Sequence, residues 1–393
     1  MKRSCAALLL LLAACLGRSP QNEYRLDGKV PPPGKGFDTA LFQAVDVRMK
    51  PGNAVDPVDN GQVFQAALEE IGKARKSIHI LTFIWSDGRI SNQLIDAISA
   101  RTHLGVECRV LADAIGSIGF DDVRKRLEKA GCQVHMARPL PTDETLARVH
   151  RKIMVIDGRV GITGGFGIKD QWDGDGLHDD PPMWRDSNLR VRGPAVLDMQ
   201  RAFSENWQEA SGRLLPADAF PEPEDAGEAE AAFMTSTAHA IATNNDKLTQ
   251  LFINAATKRI WIANAYFVPS APILEALARK AREGVDVRVM AAGDKTDTKP
   301  YLPSQRARMD DLVRAGARAF EYEPAMMHGK VMIVDDRLVA VGSCNLDALS
   351  LNKMDEGALI VDDPRLNAEE ARRFLADLDH SKERGPARRT AAR

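Results

Sequence analysis

The chain is short of most features that would set it apart from a soluble globular protein. Only five of its 393 residues are cysteine. No two of them are spaced C-x-x-C, so neither a disulfide scaffold nor a zinc ribbon is written into the sequence. No apolar run reaches the ~20 residues that a helix needs to cross a hydrocarbon core, which excludes a polytopic membrane protein. Charge of one sign is also missing: 53 Lys and Arg face 55 Asp and Glu, a net −2 at pH 7. Such a surface has no overall field for gathering polyanions and weighs against a general nucleic-acid binder. No cluster of His, Asp and Glu has metal-site spacing. What is present is 44% hydrophobic and 27% charged. That is the balance of one large folded domain or two ordinary ones, and not of a disordered chain.

The first residues read as an address. Met1-Lys2-Arg3 precedes a leucine-rich apolar run from Ala6 to Ala14, which predicts a signal peptide over 1–14. Leu12-Ala13-Ala14-Cys15 resembles a bacterial lipobox, which implies acylation of Cys15. The next residue, Leu16, is not the aspartate of an inner-membrane retention signal. The expectation is a lipoprotein of the bacterial cell envelope facing the periplasm, with the outer membrane favoured. Each buried methylene of such an anchor contributes about 0.8 kcal/mol. Residues 15–40, with Pro31-Pro32-Pro33 among them, are predicted to be the lipidated N-terminus and a tether.

The body repeats. Val63 to Ala74 is helical in period, and Ser77 to Trp85 reads as a buried strand. A helix around Leu94 and Ile98 follows, then a strand from Gly105 to Leu111. The same order returns as Leu248 to Ala256, Arg259 to Val268, Ile273 to Arg282 and Gly284 to Met290. Alternating strands and helices imply an α/β fold, and two copies imply a bilobal molecule about a pseudo-twofold axis. The predicted boundaries are a first lobe over 41–215, an acidic, proline-rich linker over 216–232, a second lobe over 233–380 and a basic tail over 381–393.

The chemistry-bearing residues lie at one place in each copy. His150-Arg-Lys152 leads through Ile153-Met-Val-Ile156 to Asp157, and His328-Gly-Lys330 leads through Val331-Met-Ile-Val334 to Asp335. Each of the three residues recurs 178 positions later. Positions two apart on a strand share a face, so His150 projects with Lys152, and His328 with Lys330. Asp157 and Asp335 fall at the strand end, off that face, where a turn is expected and a supporting role is favoured. Packing the lobes about a twofold brings two imidazoles and two ammonium groups to one seam. The imidazoles suit nucleophilic and acid–base work, and the ammonium groups suit phosphoryl oxygens.

At these residues the sequence resembles the phospholipase D superfamily, over roughly 40–380, and within it the bacterial cardiolipin synthase branch. Further support comes from Thr163-Gly-Gly, from Trp184-Arg-Asp186-Ser-Asn-Leu-Arg-Val-Arg-Gly-Pro194, and from Gly342-Ser-Cys-Asn345-Leu-Asp347 with Ser350, Asn352 and Glu356 beyond. The resemblance implies two tandem lobes, each a mixed β-sheet flanked by helices, with the active site at their interface. It implies a phosphatidyltransferase that works through a phosphohistidine, without metal or other cofactor, on phospholipid at a membrane surface. Neither nucleic acid nor a dimer is required. Carried over, the site is His150, Lys152, His328, Lys330 and Asn345, with Asp186 and Glu356 as acids that orient a histidine. His150 is the expected nucleophile and His328 the acid–base. Two departures stand out: Gly167 occupies the first copy's asparagine position, and the wording after Glu356 lacks the usual aromatic residues.

Rival readings are hydrolysis of a phospholipid headgroup to phosphatidic acid, a nuclease, and a lipid-binding relic. His79, His103, His135, His178, His239 and His380 read as structural. Trp172, Trp184 and Trp207 read as packing before a headgroup cage. Cys108 and Cys132 begin neighbouring strands, where a disulfide and two buried thiols are both open.

Overall fold

The computed structural model describes residues 24–139, 146–239 and 241–385. The proposed signal peptide and Cys15 lie outside them. In the first half, α1 (Phe37–Val45) leads to β1 (Lys50–Pro57), α2 (Gln62–Lys73), β2 (Ser77–Thr82) and α3 (Arg89–Thr102). There follow β3 (Glu107–Asp113), α4 (Asp121–Lys129), β4 (Cys132–Ala137), β5 (Ile153–Ile156), β6 (Val160–Gly164), β7 (Asn188–Arg192) and α5 (Ala195–Ser211). The second half runs β8 (Ala229–Ser236), α6 (Asn244–Ala255), β9 (Arg259–Asn264), α7 (Ala271–Arg282), β10 (Asp286–Ala292), α8 (Leu302–Arg314) and β11 (Arg318–Tyr322). It ends with β12 (Lys330–Val334), β13 (Leu338–Gly342), α9 (Ala348–Asn352), β14 (Glu356–Asp362), α10 (Pro364–Leu378) and β15 (Ser381–Glu383).

Two half-sheets join where β1 pairs antiparallel with β8. Outward from β1 the order is β7-β6-β5-β2-β3-β4, and outward from β8 it is β14-β13-β12-β9-β10-β11, with β15 added at the edge. The matching orders are the pseudo-twofold. Each half-sheet is mixed: β2, β3 and β4 run parallel, while β5 is antiparallel to β2. Every residue of β2, β5, β12 and β14 is buried, which is why these strands read as unbroken apolar runs instead of alternating ones. One buried cluster draws on both halves. It takes Leu81 and Val155 from the first, Trp261 and Ile333 from the second, and Phe203, Trp207 and Phe374 from α5 and α10. Burying each such side chain contributes about 1.5–3 kcal/mol, so the interface between lobes is core and not a hinge.

Three expected boundaries shift. Residues 24–40 are not a free tether. Phe37, Leu41 and Val45 form one apolar stripe of α1, wholly buried against α6 of the second half, with Phe37 and Phe252 rings 5.8 Å apart. Upstream, the Leu26 amide donates to Gln250 at 2.8 Å. The prolines drew attention away from an i, i+4, i+8 spacing that is ordinary for a packed helix. The linker is shorter than expected, because β8 starts at Ala229. The tail begins as structure: Ser381–Glu383 pairs with β11, Arg318 is ion-paired with Glu383, and Arg384 reaches Asp310 at 2.8 Å. Cys108 and Cys132 face each other in register on β3 and β4 and form a disulfide. No helix among the described residues is long and apolar enough to cross a membrane.

Candidate active site

Each copy of the motif is an extended segment that enters a strand. Lys152 precedes β5 and donates to the His150 carbonyl at 2.6 Å; Lys330 opens β12 and donates to the His328 carbonyl. At the far end of the strand the chain turns through Asp157 and Asp335, with φ of 55° and 48°. A short carboxylate tolerates this left-handed conformation because it bonds nearby amides. Asp157 accepts from the amides of Arg75, Lys76 and Ser77, and Asp335 from those of Thr257, Lys258 and Arg259. Both aspartates therefore fasten the motif strand to the start of its neighbour, β2 or β9. They lie a strand's length from the histidines and do not line the cavity, the supporting place expected of them from the sequence.

The histidines are held crosswise. The His150 amide donates to the Asp355 carbonyl at 2.8 Å, and the His328 amide to the Arg185 carbonyl at 2.7 Å, so each motif is bridged to the other lobe. The rings follow the same rule. His150 Nδ1 lies 2.9 Å from Glu356 Oε2, and His328 Nδ1 lies 2.7 Å from Asp186 Oδ2. Glu356 belongs to the second lobe and Asp186 to the first, so neither lobe owns a complete pair. With Nδ1–H donating to a carboxylate, the tautomer is fixed and Nε2 is the free ring nitrogen. The carboxylates are themselves held: Glu356 accepts from Ser350 Oγ at 2.6 Å and from Ser343 Oγ, and Asp186 from Trp172 Nε1 at 2.7 Å.

A cavity of about 260 Å³ opens onto both rings. His150, Lys152, His328 and Asn345 line it beside Phe83, Ile84, Trp172, Trp184, Tyr266 and Met354. Burial is the main influence on the titrating groups. It pulls His150 down, and pulls His328 down to about 4, with Lys330 adding to the effect on the latter. Burial brings Lys152 to about 7 and Lys330 to about 8; Glu356 and Asp186 partly restore both, and Lys330 further lowers Lys152. For Glu356 and Asp186 burial is the largest single influence and pulls upward, but the facing histidine, a nearby lysine and the hydrogen-bond donors together outweigh it, and both stay below the usual carboxylate range. The resting site thus holds ionised carboxylates, imidazoles with a free Nε2, and two lysines whose charged form is disfavoured by desolvation. An anion with several oxygens would favour the charged form of both.

Asn345 is 4% exposed, and its Oδ1 has no hydrogen-bond partner among the described residues. Its counterpart Gly167 is explained by a neighbour. A Cβ at 167 would lie 2.9 Å from Trp172 Cζ3 and 3.1 Å from Ile84 Cβ. Trp172 stands 178 residues before Ser350, and both donate to the orienting acid of their half. The first lobe uses a bulky indole where the second uses a hydroxyl, and the glycine makes the room. Trp172 was expected only to pack; the sequence signal for its role was the 178-residue offset from Ser350. Trp207 does pack, stacked on Phe203 at 5.9 Å. The other six histidines stay outside the cavity.

The profile of a family described as cardiolipin synthase, PLD-like domain, matches residues 67–172 and 250–378. Cardiolipin synthase A of Pseudomonas aeruginosa is 32% identical over 391 residues, covering 98% of this chain and 78% of that protein. Cardiolipin synthase 1 of Bacillus anthracis is 30% identical over 339 residues, 82% of this chain and 65% of that one. Among solved structures, phosphatidylserine synthase of Haemophilus influenzae Rd KW20 aligns with a TM-score of 0.64 at 13% identity, covering 88% of this chain and 92% of that chain. Polyphosphate kinase from Porphyromonas gingivalis gives 0.58 at 12% identity, covering 94% and 52%. At those identities the likeness is one of fold.

Proposed function

Because the chain belongs to the cardiolipin synthase family of phospholipase D-like enzymes, we propose that it transfers a phosphatidyl group between lipid alcohols, forming cardiolipin from phosphatidylglycerol. The observation that carries this reading is the crossed pair of histidine–carboxylate contacts, with both rings and Lys152 on one cavity and Lys330 bonded to the His328 carbonyl behind it. His150 Nε2 attacks phosphorus; an N–P bond forms, the P–O bond to the headgroup breaks, and His328 gives its proton to the leaving alkoxide. In the second half His328 takes the proton of the acceptor hydroxyl, its oxygen bonds phosphorus, and the N–P bond breaks. Lys152, Lys330 and Asn345 hold the non-bridging oxygens, and Glu356 and Asp186 hold the rings. The negative phosphodiester raises the pKa of His328 when it binds, which lets an imidazole buried beside Lys330 serve as the acid. The two lysines supply the positive charge, so the reaction is proposed to need no metal ion.

Purified protein given phosphatidylglycerol in EDTA is expected to yield cardiolipin and free glycerol, with activity lost in His150→Ala. Phosphatidic acid as the product would favour hydrolysis. Neither product, or full turnover by His150→Ala, would overturn the reading.

The envelope location is also a proposal. Leu12-Ala13-Ala14-Cys15 supports it, as does a disulfide, which persists in oxidising compartments. Labelled fatty acid is expected to enter the wild-type chain and not Cys15→Ala; equal labelling of both would refute lipidation at that residue.

A further inference from the structure

Arg148 lies two residues before His150 and lines the same cavity. It is only 2% exposed. Most of its guanidinium is engaged: Nε donates to Asp113 at 3.1 Å, and Nη2 donates to the carbonyls of Ala137 and Arg138 at 3.3 and 2.8 Å. Nη1 has no partner. A buried guanidinium N–H left unpaired is costly, and what sets this one apart is that its side chain lines the cavity, where an acceptor can arrive from outside. Asp113 fixes the group in place, accepting also from the amides of Ile115, Gly116 and Val149. The donor is therefore preorganised.

The pseudo-twofold shows that this group is not part of the shared machinery. The position 178 residues on is Met326, which is buried and apolar. In the proposed reaction Lys152, Lys330 and Asn345 hold the transferred phosphoryl group, and the extra donor occurs on the His150 side alone. Val149 makes a β-bridge, so the segment is extended there. Residues 148 and 150 then sit roughly 7 Å apart along the chain on one face. In the proposed reaction the acceptor lipid brings a phosphodiester of its own, and that anion must be bound or left unpaired in an apolar cavity.

We propose that Arg148 Nη1 binds the phosphate of the acceptor, making a second anion subsite that selects phosphate-bearing alcohols over neutral ones. This rests on the phosphatidyl-transfer reading above.

The test is a competition in one tube. Phosphatidylglycerol vesicles are the donor, and labelled glycerol and labelled glycerol 3-phosphate compete as acceptors. A ratio of products does not depend on how much of the protein is folded, so it stays readable in a weakened variant. Wild type is expected to favour glycerol 3-phosphate at least about tenfold, the worth of one charge-assisted hydrogen bond. Arg148→Lys, which keeps a cation opposite Asp113, and Arg148→Met, which copies the other lobe, should each bring the ratio near one. Equal use of both acceptors by wild type, or an unchanged ratio in both variants, overturns the subsite and leaves phosphatidyl transfer standing. Formation of phosphatidic acid alone, with neither acceptor labelled, overturns the transfer reading and the subsite with it.

Discussion

At the scale of single residues, the site is governed by burial of charge that awaits a partner. Lys152 and Lys330, at about 7 and 8, lose their protons far below a free lysine because the cavity withholds water. The sign of the consequence is fixed: as pH rises through these values, the free enzyme loses the cations that hold phosphate. We expect kcat/KM to fall on the alkaline side from about pH 7–8. The limb for kcat should lie higher, since bound phosphodiester restores the lysine pKa. Parallel profiles flat to pH 9.5 would contradict this account. The motif histidines, lysines and aspartates were legible from their double spacing. The orienting acids came from the family resemblance, and what no spacing could say is that each serves the histidine of the opposite lobe. Arg148 carried no signal, because an arginine two residues before a motif histidine looks like any charged residue until its unpaired nitrogen is seen.

At the scale of elements, the two copies differ by a compensated exchange. Ser350 in the middle of α9 and Trp172 in the first lobe do one job, donating to an orienting carboxylate. The indole excludes any side chain at 167. Gly167→Asn is therefore expected to destabilise the protein by about 1–3 kcal/mol through overpacking. Gly167→Asn with Trp172→Ser, which copies the second lobe, should recover most of that loss in a denaturant midpoint. If the single variant is as stable as wild type, the steric account fails. Apolar runs revealed the central strands plainly, since strands buried on both faces show no alternation. The amphipathic stripe of α1 was missed, because a proline-rich approach suggested a spacer where Phe37, Leu41 and Val45 seat against α6.

At the scale of the whole molecule, the lobes are one cooperative body. Besides the shared core, Arg185 of the first lobe meets Asp59 at 3.1 Å and Asp377 of α10 at 2.9 Å, and Arg373 of α10 returns to Asp59 at 3.2 Å. The Arg185 carbonyl also receives the His328 amide. Arg185→Ala leaves buried carboxylates short of a cation, which costs about 3–5 kcal/mol. It should lower the unfolding midpoint of both lobes together, followed by tryptophan fluorescence and by activity. Loss of activity with separate transitions for the two lobes would show that the interface is a contact and not a core.

The sequence by itself determined the repeat, the strand-borne motif and the class of chemistry, because periodicity and spacing act over a few residues and survive without a third dimension. Only the tertiary structure decided who partners whom. Glu356 with His150, Asp186 with His328, and α1 on the far lobe all join residues distant in the chain. Such pairings are set by how two twisted half-sheets meet along β1 and β8, a long-range geometry that no local pattern encodes.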